Sequence, residues 1–288
     1  MKTYQACIPC ISKLFHSTLE RTPLTEDQKA DFLTRFESYW TEADMTVPPA
    51  RTVGVIYQQV LQETGQEDLF QTKKNRSTRE ALRLYPRLKT IVAQSKSKLD
   101  AAVRISALGN ILDSGNPNSY DLDEEVRLLF SSPLQGGSFD LFKDKLNSAS
   151  ALLILADNAG ETVFDRVLIE TLELPVFYAV KSAPALDDAL LDDARKAGLE
   201  GITTLLETGS PYPGTYLPSC SPAFQGKFQD ADLILAKGQA NYETLSEVDR
   251  DLFFLLKVKC QVIGDDIGLP VGSLALKYHP GNNQGNGI

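Results

Sequence analysis

The stretch SALLILADNAGE (150–161) decides the fold: an apolar run of strand length ends in a polar turn. A run without apolar–polar alternation belongs to a strand covered on both faces. LPVFYAVKSAP (174–184), GITTLLETGS (201–210) and DADLILAKGQANYE (230–243) repeat the pattern, and KCQVIGDD (259–266) reads as a fifth strand. Helical patterns lie between them, such as FDRVLIETL (164–172) and LDDALLDDARKAG (186–198). Strand and helix in alternation predict an α/β fold, a parallel sheet with helices on both faces. Ligands bind such sheets outside the carboxyl ends of the strands. The residues just past each run therefore matter most. They are Asp157 to Glu161, Lys181, Thr208 with Gly209 and Ser210, Lys237 with Gly238 and Gln239, and Asp265 with Asp266.

Upstream the pattern is helical, and the spacing divides the chain into a helical part over 1–145 and a parallel-sheet part over 146–288. Thr25 and Gln28 have capping-box spacing ahead of an aromatic stripe, Phe32, Phe36, Tyr39 and Trp40, which is read as core. Gly65 is placed to end a helix that starts after Pro48 and Pro49. Ser77 and Glu80 are read as a second capping box, and Lys73, Lys74, Arg76 and Arg79 as a solvated face or one near an anion. In LDAAVRISALGNILDSGN (99–116), small residues permit close helix contact, and Asn110 and Asp113 share one helical face. The Gly/Asn-rich tail, 279–288, is expected to be flexible.

Composition narrows the function. The 288 residues are 42% hydrophobic and carry a net charge of -9. That balance opposes a nucleic-acid or anionic-membrane surface, which needs concentrated Lys and Arg. A small phosphorylated ligand needs only one positive pocket and stays compatible. No apolar run reaches membrane-spanning length, no signal-peptide core opens the chain, and the expected compartment is the cytoplasm. Four cysteines do not make a disulfide scaffold, and Cys7-x-x-Cys10 lacks a second half for a zinc site.

The strand-end residues imply anionic-ligand handling with a metal. Asp157 and Asn158 offer oxygen donors for hard or intermediate divalent cations, and Asp187 or Asp188 can add a carboxylate. Lys237 offers positive charge, and turn N–H groups at Gly209 and Gly238 can cradle phosphate oxygens. Each also has an ordinary structural reading, as turn, surface charge or helix cap. Walker-type and dinucleotide glycine loops, a nucleophile elbow and H-E-x-x-H are all absent from the sequence.

CIPC (7–10), ALRLYPRLK (81–89), GNILD (109–113), DNAGE (157–161), APALDD (183–188), LETGSPYPGT (206–215), AKGQANYE (236–243) and FLLKVKC (254–260) together resemble the damage-control phosphatase family. The C-x-x-C is similar to its mainly prokaryotic branch. The resemblance implies a helical bundle packed on a Rossmann-like domain. It implies metal-dependent phosphatase activity, often with cobalt, nickel or manganese, on small phosphorylated metabolites such as sugar phosphates, phosphopantetheine derivatives and damaged phosphometabolites; the expected cofactor is one of these cations or magnesium. The family's metal ligands fall on Asp157, Asn158 and Asp188, and its phosphate-side lysine on Lys237. Asn110 and Asp113 match its pocket-facing helix residues. Where the family often has Asn, this chain has Asp187, so which aspartate binds stays open.

The expected enzyme is a metal-dependent phosphomonoesterase. Asp157, Asn158, Asp188 and Lys237 are its expected catalytic residues, with Asn110, Asp113, Glu161, Thr208, Gly209, Ser210, Gly238 and Asn241 around the substrate. The nucleophile is either a water or the Asp157 carboxylate. The rivals are a binding module without turnover and a carboxyl methyltransferase. Sequence says nothing of oligomeric state.

Overall fold

The computed structural model describes residues 1–109, 122–131 and 133–281. Among the described residues, seven α-helices precede the first strand: α1 (Ile8–Leu19), α2 (Glu26–Glu42), α3 (Pro49–Thr64), α4 (Gln71–Gln94), α5 (Lys98–Leu108), α6 (Leu122–Ser131) and α7 (Phe139–Ser148). The expected capping box starts α2: Gln28 N donates to Thr25 Oγ1, and Thr25 N donates to Gln28 Oε1. Phe32 and Phe36 pack with Phe15, Ile56 and Val60 in one apolar cluster of α1, α2 and α3. Gly65 ends α3 in the left-handed conformation, as its spacing predicted.

Two upstream readings fail. Ser77 is no cap; it lies inside α4, which starts at Gln71, and its hydroxyl bonds back to Lys74 O. The basic run is not wholly solvated. Arg76 and Arg79 are exposed, but Lys74 is fully buried between Asp68 and Asp193. A buried lysine is tolerable only with such counter-charges.

The sheet follows: β1 (Leu152–Leu155), β2 (Val176–Val180), β3 (Thr204–Glu207), β4 (Leu233–Lys237), β5 (Leu252–Lys257) and β6 (Leu274–His279). Its order is β3-β2-β1-β4-β5-β6, parallel except for β6, which runs antiparallel to β5. Helices α8 (Glu161–Ile169), α9 (Leu191–Lys196), α10 (Pro222–Asp230), α11 (Gly238–Leu245) and α12 (Gln261–Ile267) connect successive strands.

Alternate side chains of each strand serve two cores, because successive residues point to opposite faces. Leu152, Ile154, Leu233 and Leu235 meet α4, α5, α7, α8 and α9; Leu153, Leu155, Ile234 and Ala236 meet α10, α11 and α12. The small residues of α5, Ala101, Ala102 and Ala107, are buried as expected.

The fifth strand is LFFLLK (252–257), not KCQVIGDD. The latter is mostly α12, where Ile263 and Ile267, four apart, bury one helical face. Asp265 and Asp266 therefore do not follow a strand; Asp266 accepts a hydrogen bond from Tyr242. Nor does the expected tail begin at 279, since His279 closes β6 and pairs with Leu252. Among the described residues, no helix is long and apolar enough to cross a membrane.

Candidate active site

The strand order reverses between β1 and β4, with β2 and β3 on one side and β5 and β6 on the other. A crevice at the carboxyl ends opens at such a switch point. Leu155 pairs with Ala236, so two residues on Asp157 stands level with Gly238. The fit there is close. Gly238 has φ 77°, and a Cβ on it would overlap the Asp157 carboxyl group, with even the farther oxygen, Oδ1, only 2.6 Å away. Glycine thus serves twice, for the left-handed turn and for the space it leaves to the carboxylate.

A second turn completes the acid pair. Asn158 and Asp188 form an isolated antiparallel bridge, flanked by Ala189 N to Asp157 O at 2.8 Å and Ala159 N to Asp187 O at 2.9 Å. These bonds stitch the loop after β1 to the APALDD turn after β2. Asp157 and Asp188 are both nearly fully buried. Burial pushes the Asp157 carboxyl above its usual range, against the nearby charges of Lys259, Lys181 and Lys237. Burial likewise pushes Asp188 up to about 8, although Lys181 at 3.4 Å and the Gly214 N–H oppose the shift. Two buried acids with an amide beside them form an oxygen-donor set that a divalent cation would relieve of mutual repulsion. That trio fits a cation held by Asp157, Asn158 and Asp188. Among the described residues, no cluster of three or more His, Cys, Asp or Glu side chains could hold a metal; the thiols of Cys7 and Cys10 are free.

Beneath the acids lies a buried charge network. Lys237 Nζ donates to Asp165 Oδ1 at 2.6 Å, to Ser106 O at 3.0 Å and to Glu161 Oε2 at 3.4 Å. Asp165 also accepts from Ser106 Oγ at 2.6 Å and Tyr178 OH at 2.7 Å. Burial alone would depress the Lys237 ammonium, but Asp165 and Glu161 hold it above the usual lysine range. Glu161 is raised well above its ordinary value by burial, and its Oε1 accepts from Asn158 Nδ2 at 3.0 Å. In this conformation Lys237 is the counter-ion of Asp165 and Glu161.

A lysine at the same edge, Lys259, forms no ion pair among the described residues. It is exposed, two residues past β5, and its backbone N donates to Gln239 Oε1 at 3.2 Å. After burial, its charge is the largest influence on Asp157.

The remaining expected residues sort into three groups. Asn241 is a fastener: its amide donates to Ala156 O at 3.1 Å and Lys237 O at 2.7 Å, and its carbonyl accepts from Thr215. Thr208 and Ser210 are buried and bonded within their own loop, and Gly209 N donates to Ser182 Oγ at 2.6 Å. Asn110 and Asp113 lie outside the described residues. Gly109, just before them, abuts Glu161, whose Cγ would stand 2.9 Å from a Cβ at 109.

Sequence reasoning missed Asp165 and Lys259 as site residues. Asp165 stands four residues after Glu161, one turn along the same helix face, which was a readable signal. Lys259 was hidden because its segment was taken for the start of a strand.

Comparison with known proteins agrees with the fold. A model of the damage-control phosphatase ARMT1-like domain matches residues 3–274. The chain is 31% identical to a damage-control phosphatase of Pyrococcus horikoshii over 284 residues, covering 95% of this chain and 97% of that one. It is 32% identical to a damage-control phosphatase of Archaeoglobus fulgidus over 229 residues, covering 77% and 80% of the two chains. The crystal structure of a DUF89 family protein from P. horikoshii superposes with a TM-score of 0.87 at 29% identity, over 97% of this chain and 99% of that one. The helical layer and the switched sheet therefore have a family: this chain belongs to the damage-control phosphatases.

Proposed function

We propose that the chain is a divalent-metal-dependent phosphomonoesterase acting on small phosphorylated metabolites. One observation carries the reading: Asp157 and Asp188, two buried carboxylates from different loops, are stitched together beside Asn158 at the sheet's switch point. The family membership supports the reaction class, and the buried acids support this location for it.

Asp157, Asn158 and Asp188 would hold the cation, with manganese, cobalt, nickel and magnesium as candidates for this donor set. When bound, such an ion polarises a phosphoryl oxygen and offsets charge in the transition state. The chain's own residues do the rest. Lys259 draws the phosphate to the edge and faces its outer oxygens. Lys181 keeps Asp188 oriented, and Gly238 leaves room for Asp157 under the phosphorus. Lys237 and Asp165 fix Glu161, whose carboxylate holds the Asn158 amide. Phosphoryl transfer is served mainly by positioning and electrostatics of this kind. Asp157 either attacks phosphorus itself, breaking the ester P–O bond to release the alcohol and leaving a phospho-aspartate that water then hydrolyses, or receives the proton of a water that attacks phosphorus and displaces the alcohol directly; acid-quench trapping of labelled phosphate on the protein separates the two.

The test is release of phosphate from a panel of sugar phosphates and phosphopantetheine by protein reloaded with each cation. Within that panel, Lys259→Met is expected to raise KM about tenfold and to lower kcat less, as loss of one exposed phosphate contact should. An unchanged KM would remove Lys259 from the phosphate site. Ligand-dependent stabilisation without any phosphate release by the wild-type protein would reduce the reading to a binding module.

A further inference from the structure

The start of α4 reaches both turns that carry the proposed metal ligands. Ser77 lies against Gly160 so closely that a Cβ at 160 would stand 2.9 Å from Ser77 Cβ. Lys73 Nζ meets Asp187 Oδ2 at 2.7 Å, with both side chains mostly buried. The next residue, Lys74, pairs with Asp68 at 2.7 Å and with Asp193 at the start of α9 at 3.4 Å. From α3, Gln58 Nε2 donates to Pro184 O at 2.7 Å. The helical layer therefore grips the APALDD turn at several successive positions.

That turn contains an unusual residue. Leu186 has φ 56°, the one positive φ outside glycine among the described residues. A branched side chain adopts this conformation only when its surroundings enforce it. Here Leu186 is buried against Tyr57, Leu61 and Phe70. Just beyond it, the two adjacent aspartates part. Asp187 goes to Lys73 on α4, and Asp188 goes to Lys181 and the Gly214 N–H in the crevice. Asp187 nonetheless stays beside the site, since its carbonyl accepts from Ala159 N in the loop after β1 and it directly precedes Asp188.

We propose that Lys73 is a positioning residue that decides which of two adjacent aspartates enters the site. Its ion pair holds Asp187 against α4 and cancels a negative charge that would otherwise repel the substrate's phosphate. The inference rests on the metal-dependent phosphatase reading and adds to it a role for the helical layer. It also answers the question left by Asp187 in the sequence: the extra carboxylate comes with its own counter-ion.

The experiment compares the wild-type protein with Lys73→Met, Asp187→Asn and the double variant. Each is stripped with chelator, titrated with manganese by calorimetry, then assayed with p-nitrophenyl phosphate in the presence of inorganic phosphate as inhibitor. Lys73→Met is expected to raise the inhibition constant of phosphate about tenfold, the size of one positive charge removed near the site. Its manganese affinity should be equal or tighter, since the added charge attracts cations. Adding Asp187→Asn should bring phosphate inhibition back to within about twofold of wild type, because the two residues act as one unit. Asp187→Asn alone should keep manganese affinity within about twofold by the same logic.

Three results would overturn the proposal: phosphate inhibition unchanged in Lys73→Met; manganese and phosphate weakened together with no rescue in the double variant, which marks a merely structural lysine; or manganese affinity lost in Asp187→Asn, which makes Asp187 a ligand. If the wild-type protein bound no cation, the metal reading itself would fall and this inference with it, an outcome distinct from the other three.

Discussion

Gly238→Ala is expected to lower phosphate release about 100-fold or more, the size of effect that follows when a reacting group is displaced by about an ångström. The methyl group would occupy the volume of the Asp157 carboxyl, so one of the two must move. The backbone adds to the difficulty, because φ 77° disfavours any side chain. Asp157 cannot retreat easily. Its carbonyl is tied to Ala189 N, its neighbour Asn158 is bridged to Asp188, and Asn241 fastens the β1 and β4 backbones beneath it. A thermal melt separates loss of site geometry from loss of fold. The variant should remain folded while its response to manganese falls. Full activity in Gly238→Ala would mean that Asp157 is free to move and that its placement over Gly238 does not matter.

Asp165→Ala should be the most destabilising change near the site, by about 3–5 kcal/mol, the range seen when one partner of a buried ion pair is removed. The carboxylate is completely buried and receives Lys237, Ser106 and Tyr178. Without it, among the described residues Lys237 keeps Glu161 at 3.4 Å and the Ser106 carbonyl. The double change Asp165→Asn with Lys237→Met removes both charges and leaves an acceptor for Ser106 and Tyr178. It should recover most of the loss. Denaturant unfolding of these two variants against the wild type measures this. Equal losses in Asp165→Ala and in the double variant would show that the network acts through shape rather than through charge.

The parallel core of the sheet was legible because the strands β1, β2 and β4 are buried on both faces and read as unbroken apolar runs ending in polar turns. DNAGE and AKGQANYE were placed correctly for that reason, and register alone then brings Asp157 level with Gly238. The edge was harder. β6 carries Lys277 and partly exposed Tyr278, so it lacks the uninterrupted apolar character of a central strand. KCQVIGDD imitates a strand end, and only the four-residue spacing of Ile263 and Ile267 marks it as a helix. The second half of the site was out of reach for a different reason. Lys73 and Asp187 are 114 residues apart, and no local pattern says which lysine of a basic run meets which of two adjacent aspartates. The same holds for Lys74, whose burial depends on carboxylates from α9 and from the loop before α4. Lys237 was found by its position after a strand, but its partners Asp165 and Glu161 arrive from another helix, and they give it the role of a counter-ion.

The most direct measurement is phosphate release from p-nitrophenyl phosphate by chelator-stripped protein, before and after separate addition of magnesium, manganese, cobalt and nickel, with Asp157→Ala alongside. The expected result is no release by the stripped protein, recovery with at least one cation, and a loss on the order of 1,000-fold in Asp157→Ala with every cation. Release that persists undiminished after stripping, or an Asp157→Ala protein that matches the wild type in activity and cation affinity, would contradict the assignment of this acid pair as a metal-dependent phosphatase site.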